Sequence, residues 1–271
     1  MKPAPLKPLQ LQLFALRGFP LVQAGDDLTR LISKSLAENH LSLEAGDVLV
    51  LAQKIVSKAE NRYVDLKQVT PGSKAIALAE AVDKDPRLVE IILQESKEVV
   101  RYCPGVLIVE HRLGYVMANA GIDASNIEHE SSENDAVDNI LLLPKDPDAC
   151  AEHLANQLNA LHGVKPAVVI NDSVGRAWRQ GTTGMALGAA GLRALDDRRG
   201  DKDLYGRTLR VTEVAIADEL ASAAALLQGE GAEGRPVVLV RGADLGMSSG
   251  LEGEANNAAT LLRPKERDLF R

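Results

Sequence analysis

The run Val168-Val169-Ile170-Asn171-Asp172-Ser173-Val174-Gly175-Arg176-Ala177-Trp178-Arg179 constrains this chain more than any other stretch. Three β-branched apolar residues in succession offer no polar face to water, which predicts a buried strand. The run then turns polar without transition. An Asn-Asp-Ser triplet and a glycine come first, then two arginines around the only tryptophan. A strand that ends in a carboxylate and a hydroxyl has the composition of a site: carboxylates hold hard metal ions, and planar guanidinium forks grip phosphate or carboxylate. The same letters also fit a strand end followed by a solvated turn, and the stretch alone leaves both readings open.

Composition narrows the rest. With 271 residues and 45% hydrophobic content the chain can bury a large core, in one large domain or two lobes. Aromatics at 3% leave no platforms on which bases could stack, and a net charge of −7 argues against a nucleic-acid partner. No apolar run approaches the roughly 18 residues of a spanning helix, so no membrane partner is expected. The first residues mix prolines and lysines where a leader peptide would need a continuous apolar core. Cys103 and Cys150 form no CxxC pair, which predicts reduced thiols in a cytoplasmic protein.

In chain order, residues 11–22 read as a strand and a turn. A helix follows with apolar positions Leu28, Leu31, Ile32 and Leu36. A second buried strand, residues 48–52, runs straight into Gln53-Lys54-Ile55-Val56-Ser57-Lys58. The two lysines either grip phosphate or are solvated charges flanking a strand. A helix is predicted from Ser73 to Val82. The next is capped by Asp85 with Pro86 at its first position, and Leu88, Ile91, Ile92, Glu95 and Val99 mark its faces. A hairpin is predicted around Gly114. The small-residue stretch Ala118-Asn119-Ala120-Gly121-Ile122-Asp123-Ala124-Ser125-Asn126 is either an Asx-rich turn or a second set of oxygen donors. Residues 128–138 are acidic and expected as a loop. They hold no HExxH pattern.

Asp146-Pro147 opens a helix closed by Gly163, and the glycines between 181 and 191 suit close backbone packing. Residues 196–203 read as a charged loop, a strand is expected near residues 209–211, and an alanine-rich helix over 213–228. Residues 229–234 match GxGxxG by letter. The dinucleotide-binding reading fails because that mechanism needs a strand before the glycines and a helix after them, and here the order is reversed. A plain helix-to-strand connection fits better, and an anion-binding loop stays open. Residues 242–257 are expected to be flexible and 261–270 to dock as a short segment. If Asp123 and Asp172 converge, they form an oxygen-rich site for Mg2+ or Mn2+, with Lys54, Lys58, Arg176 and Arg179 available for phosphates. Metal and cations without a Cys or His nucleophile point to phosphoryl transfer.

Several segments together resemble the coenzyme F420 gamma-glutamyl ligase family. They are residues 46–50, 53–60, 85–90, 104–110 and 118–126, and Gly175-Arg176-Ala177-Trp178-Arg179. Residues 217–221, 240–242 and the tail at 263–270 continue the likeness in order. The resemblance implies an α+β fold with mixed sheets and flanking helices, particular to the family, in two lobes of an intertwined homodimer. It implies one ligase domain over residues 1–271 with no second, flavin-binding domain. The implied reaction joins L-glutamate to the carboxyl end of the F420 precursor. GTP first phosphorylates that carboxylate, the glutamate amine displaces phosphate, and GDP is the other product.

Carried over by position, Asp123 and Asp172 fall on metal-binding aspartates. Ser173 and Glu230 fall beside a second Mg2+ or Mn2+, and a monovalent cation such as K+ is allowed for. Gln53, Lys58 and Asn126 fall on nucleotide contacts, as does the loop from Gln228 through Gly229, Gly231 and Gly234 to Arg235. Phe19, Pro20, Leu21 and Val22 border the nucleotide. Arg176 and Arg179, read from their own chemistry, are the grips for the anionic precursor. The chain departs from the family where Ser173, Val174 and Ala177 replace the usual Thr, Phe and Pro, and again at residues 181–185. Those departures keep open a same-fold enzyme that ligates an amino acid or amine to a different acid, or a non-catalytic protein that binds nucleotide or deazaflavin.

Overall fold

The computed structural model describes residues 9–127, 139–242 and 257–270. The expected acidic loop at 128–138 and nearly all of the stretch expected to be flexible at 242–257 lie outside the described residues. Within them the chain is α+β, with several sheets and flanking helices.

The central sheet has five strands: β1 (Gln12–Ala15), β2 (Val48–Ala52), β8 (Ala167–Arg176), β9 (Arg179–Ala190) and β12 (Val237–Arg241). Their spatial order is β1-β12-β2-β8-β9. Only β2 and β8 run parallel; the other neighbours are antiparallel. Both faces of this sheet are covered, which is why its inner strands read as unbroken apolar runs. Leu49, Leu51, Val168, Ile170, Val237 and Leu239 pack on one face against α1 (Leu28–Glu38), α2 (Gln53–Ala59) and α5 (Pro147–His162). The alternate residues Val48, Val50, Val169, Val238 and Val240 pack on the other, against α6 (Ile216–Gln228).

The glycines of β9 let those helices come close. A Cβ on Gly184 would lie 2.3 Å from the Ala221 carbonyl oxygen, and one on Gly188 would lie 2.3 Å from the Pro147 backbone. Between those glycines the pairing with β8 shifts register: Ile170 faces Gly188, but Asn171 faces Ala186. Leu187 is the extra residue of this bulge and is buried with Tyr115, Met117, Leu143 and Val174.

A second group of elements packs around its own core. Helices α3 (Ser73–Val82) and α4 (Pro86–Gln94) lie on a three-stranded antiparallel sheet of β4 (Ser96–Cys103), β5 (Val106–His111) and β6 (Val116–Ala118). Strand β3 (Tyr63–Asp65) pairs with β7 (Asn139–Leu141), and β10 (Asp196–Asp197) with β11 (Glu213–Val214). Glu95 joins these groups. Its carboxylate takes Arg62 Nη2 at 3.0 Å and Arg112 Nη2, with His111 Nε2 at 3.6 Å, while Arg62 Nε donates to the Leu143 carbonyl at 2.9 Å. Burial pulls the Glu95 carboxyl upward, but the ring and the two guanidiniums outweigh it and hold the group at about 2.

Four sequence expectations are corrected. The helix after Asp85 stops at Gln94, and residues up to Val99 belong to β4 instead, because they pair with β5. Residues 209–211 form no strand: Val211 is exposed, and the pairing falls on Glu213–Val214. The alanine-rich helix consequently starts at Ile216. The Asn-Asp-Ser triplet does not end its strand; β8 continues through it to Arg176, because β9 pairs with it along the whole length. The tail docks as expected, in two short 3-10 turns, with Leu262 against the Gly114 turn and Lys265 Nζ 2.6 Å from Glu98. Cys103 and Cys150 are both free thiols. Among the described residues no helix is long and apolar enough to cross a membrane.

Candidate active site

The parallel pair β2 and β8 ends its apolar stretch in register, with Ala52 opposite Asn171. Ligand sites in open α/β sheets gather at the carboxyl ends of parallel strands, where the chain leaves the sheet and side chains are freed. On β2 the exit is α2, which starts at Gln53 directly after the strand. On β8 the same level carries Asn171, Asp172 and Ser173.

Lys54 and Lys58 stand one helical turn apart on α2 and therefore share a face. That face meets the 123–126 turn. Lys54 Nζ lies 2.7 Å from Asp123 Oδ2 and donates to Ser125 Oγ at 2.8 Å, and Lys58 Nζ donates to the Asn126 carbonyl at 2.7 Å. The turn is shaped from within. Asp123 Oδ1 accepts from the Ser125 amide and hydroxyl, both at 2.8 Å, and Asn126 takes the left-handed conformation at φ 55°. Backbone bonds between Asp123 and Leu141 at 3.0 and 2.8 Å tie the turn to β7.

Two further contacts draw in the loop after α6. Asn126 Nδ2 donates to the Gly231 carbonyl at 3.1 Å, and Ser173 Oγ donates to Glu230 Oε1 at 2.6 Å. Beneath them the buried amides of Asn171 and Gln228 bond to each other at 2.8 and 3.2 Å. The Gln228 side chain points inside, where it anchors the loop to the strand. Gln53 is buried too; its oxygen accepts from Ser57 at 2.8 Å and its Nε2 has no hydrogen-bond partner among the described residues.

The electrostatics follow from this packing. Burial pushes the Asp172 carboxyl up to about 7, with the negative charges of Asp123 and Glu230 adding to the rise; the Ser173 amide at 2.9 Å and the Lys54 charge oppose it. Burial also lifts Asp123, but Lys54 and Ser125 outweigh it, and that carboxyl lies below its ordinary value. Among the described residues no three His, Cys, Asp or Glu side chains form a ready metal cluster. Lys54 covers Asp123 and Ser173 covers Glu230. Asp123, Asp172, Glu230 and Ser173 carry oxygen donors, the hard class that suits Mg2+ or Mn2+.

The glycine-rich loop turns inward on one of its own side chains. Glu233 Oε2 accepts from the Gly231 amide at 2.8 Å, and a Cβ on Gly229 (φ 76°) would come within 2.3 Å of that carboxylate. Beside it lies an open cleft of about 440 Å³ lined by Arg17, Gly18, Glu233 and Arg235. The neighbouring Phe19 and Val22 belong to the core, while Pro20 and Leu21 are exposed.

Arg176 and Arg179 are not gathered with these groups. They face each other across the two-residue turn of the β8–β9 hairpin, exposed, with Trp178 at φ 65° between them. Arg176 lies four residue steps along the strand from Asp172, roughly 13 Å. Sequence reading missed Arg17, Ser125 and Glu233 as site neighbours. The Asp-x-Ser spacing of an Asx turn signals Ser125. Arg17 and Glu233 carry no local signal, because the cleft they line forms only when residues distant in sequence meet.

Known proteins resemble the chain over nearly its whole length. The family model described as F420-0:Gamma-glutamyl ligase matches residues 18–242. A coenzyme F420:L-glutamate ligase of Methanothermobacter thermautotrophicus is 43% identical over 261 residues, covering 96% of this chain and 99% of the relative. Its namesake from Methanopyrus kandleri is 44% identical over 250 residues, covering 92% and 93%. The one from Methanocaldococcus jannaschii is 41% identical over 252 residues, covering 93% and 94%.

Proposed function

Because the chain belongs to the F420-0:gamma-glutamyl ligase family, we propose that it joins L-glutamate to the carboxyl end of the F420 precursor, with GTP as co-substrate and Mg2+ or Mn2+ at the carboxylates. The observation that carries this reading is the meeting of four segments where β2 ends beside the middle of β8: α2, the 123–126 turn, residues 171–173 and the loop after α6.

In the chemistry proposed, a precursor carboxylate oxygen attacks the γ-phosphorus of GTP and GDP leaves. The glutamate amine then attacks the acyl phosphate, phosphate leaves, and an amide forms. Asp123, Asp172, Ser173 and Glu230 would hold the divalent cations. When bound, these supply charge neutralisation to the phosphates and polarise the transferred group. Lys58, Asn126 and the 229–234 loop, which meet through hydrogen bonds, are assigned to the nucleotide, with Arg17 and Arg235 offering guanidiniums along the adjoining cleft. Arg176 and Arg179 are assigned to the far, anionic part of the precursor; their distance from Asp172 suits an extended substrate. We further propose that the chain works as a homodimer. Trp178, Leu204, Tyr205 and Val211 expose large apolar surface in the single chain, which supports that reading.

The test is GDP release with GTP, Mn2+ and L-glutamate, with and without precursor, together with the mass of the product. The reading requires precursor-dependent GDP release, at least one glutamyl increment, and loss of both in Asp172→Asn. Precursor-independent results would contradict it. GDP release driven by another acid would mark a same-fold enzyme of different acceptor, and binding of GTP without turnover a non-catalytic protein.

A further inference from the structure

Lys54 is one-quarter exposed, as is its partner Asp123, so water could satisfy either group. Yet the ammonium is aimed at a single place. Asp123 Oδ1 is committed to shaping the turn, through Ser125 N and Oγ at 2.8 Å each. That leaves Oδ2 as the oxygen free to bind a ligand, and Oδ2 is the atom Lys54 Nζ covers at 2.7 Å. Ser125 Oγ holds the ammonium in place from the other side at 2.8 Å. The Lys54 charge also opposes the rise of the Asp172 carboxyl.

A divalent cation and an ammonium cannot both sit on one carboxylate oxygen, because like charges a few Å apart repel strongly where water is partly excluded. We infer that Lys54 is a resident surrogate for the divalent cation: its ammonium holds Asp123 Oδ2 and surrenders that oxygen when Mg2+ or Mn2+ binds. The inference rests on the metal reading proposed above and adds to it a cost and a consequence. The cost is metal affinity in the absence of nucleotide, since the ion must displace a bound cation. The consequence is a side chain released beside the phosphates that arrive with the metal, so metal and nucleotide favour each other's binding.

The test is Mn2+ affinity of the purified protein without nucleotide, by calorimetry and by electron paramagnetic resonance of free Mn2+, with thermal melting to confirm folding. Lys54→Gln removes the competing charge and binds Mn2+ at least roughly tenfold more tightly than the unsubstituted chain. Lys54→Arg keeps the charge and stays near the unsubstituted value. Lys54→Met serves as a second neutral variant if the Gln substitution lowers the melting temperature. Equal or weaker Mn2+ binding by the folded neutral variants, with clear binding by the unsubstituted chain, overturns the inference. Absence of Mn2+ binding from every variant, the unsubstituted chain included, overturns instead the metal reading on which it stands.

Discussion

At Gly188 one hydrogen stands where a methyl group has no room. An alanine there would press on the Pro147 backbone at 2.3 Å, and one at Gly184 on the Ala221 carbonyl at the same distance. Backbone cannot step aside as a side chain can. Gly184→Ala and Gly188→Ala are therefore each expected to lose more than about 3 kcal/mol in chemical denaturation, or to fail to fold. Gly175→Ala, which meets nothing within 4 Å, is expected to stay within about 1 kcal/mol of the unsubstituted chain. At the hairpin tip, Arg176→Ala with Arg179→Ala should raise KM for the precursor roughly tenfold or more while leaving Mn2+ affinity unchanged; weakened metal binding would tie the arginines to the carboxylates instead. Asp123 and Asp172 were legible as oxygen donors because each follows an apolar run and stands among Asn, Ser and Gly. The grip of Lys54 on Asp123 was not, since side chains on separate elements carry no shared local pattern.

Elements were legible where one physical cause acts locally. The caps Asp85 and Asp146, each followed by proline, set the starts of α4 and α5, and Gly163 ends α5 in the left-handed conformation. Ends set by distant partners were not. Strand β8 runs on through polar residues because β9 supplies its hydrogen bonds, and α4 stops at Gln94 because the next residues are claimed by β5. Glu95, at that stop, gives the element scale its prediction. Its carboxyl is held at about 2, below its ordinary 4.5, by His111 and two arginines that outweigh burial. A depressed carboxyl contributes stability above its unfolded value and loses it as pH falls through the folded one. The contribution, of order 3 kcal/mol, is present above about pH 4.5 and fades toward pH 2. Glu95→Gln should be less stable at neutral pH and show a flatter stability profile across that window; an unchanged acid limb would show that Glu95 does not anchor these elements.

At the scale of the whole molecule, the buried strands were legible as unbroken apolar runs, while the α+β class was what the resemblance to the family implied. Which helices cover which face was not legible, because strand order fixes it and sequence does not state strand order. A homodimer predicts a sedimenting mass twice the 29.0 kDa of the chain; a single-chain mass under assay conditions would contradict it. Whether the four segments that meet beside Asp123 form one metal site is tested by locating Mn2+, through its anomalous scattering, in crystals grown with Mn2+ and GDP. Density bounded by Asp123, Asp172, Ser173 and Glu230 is expected, with the diphosphate toward the 229–234 loop. Mn2+ bound elsewhere, with Lys54 still on Asp123, would contradict it.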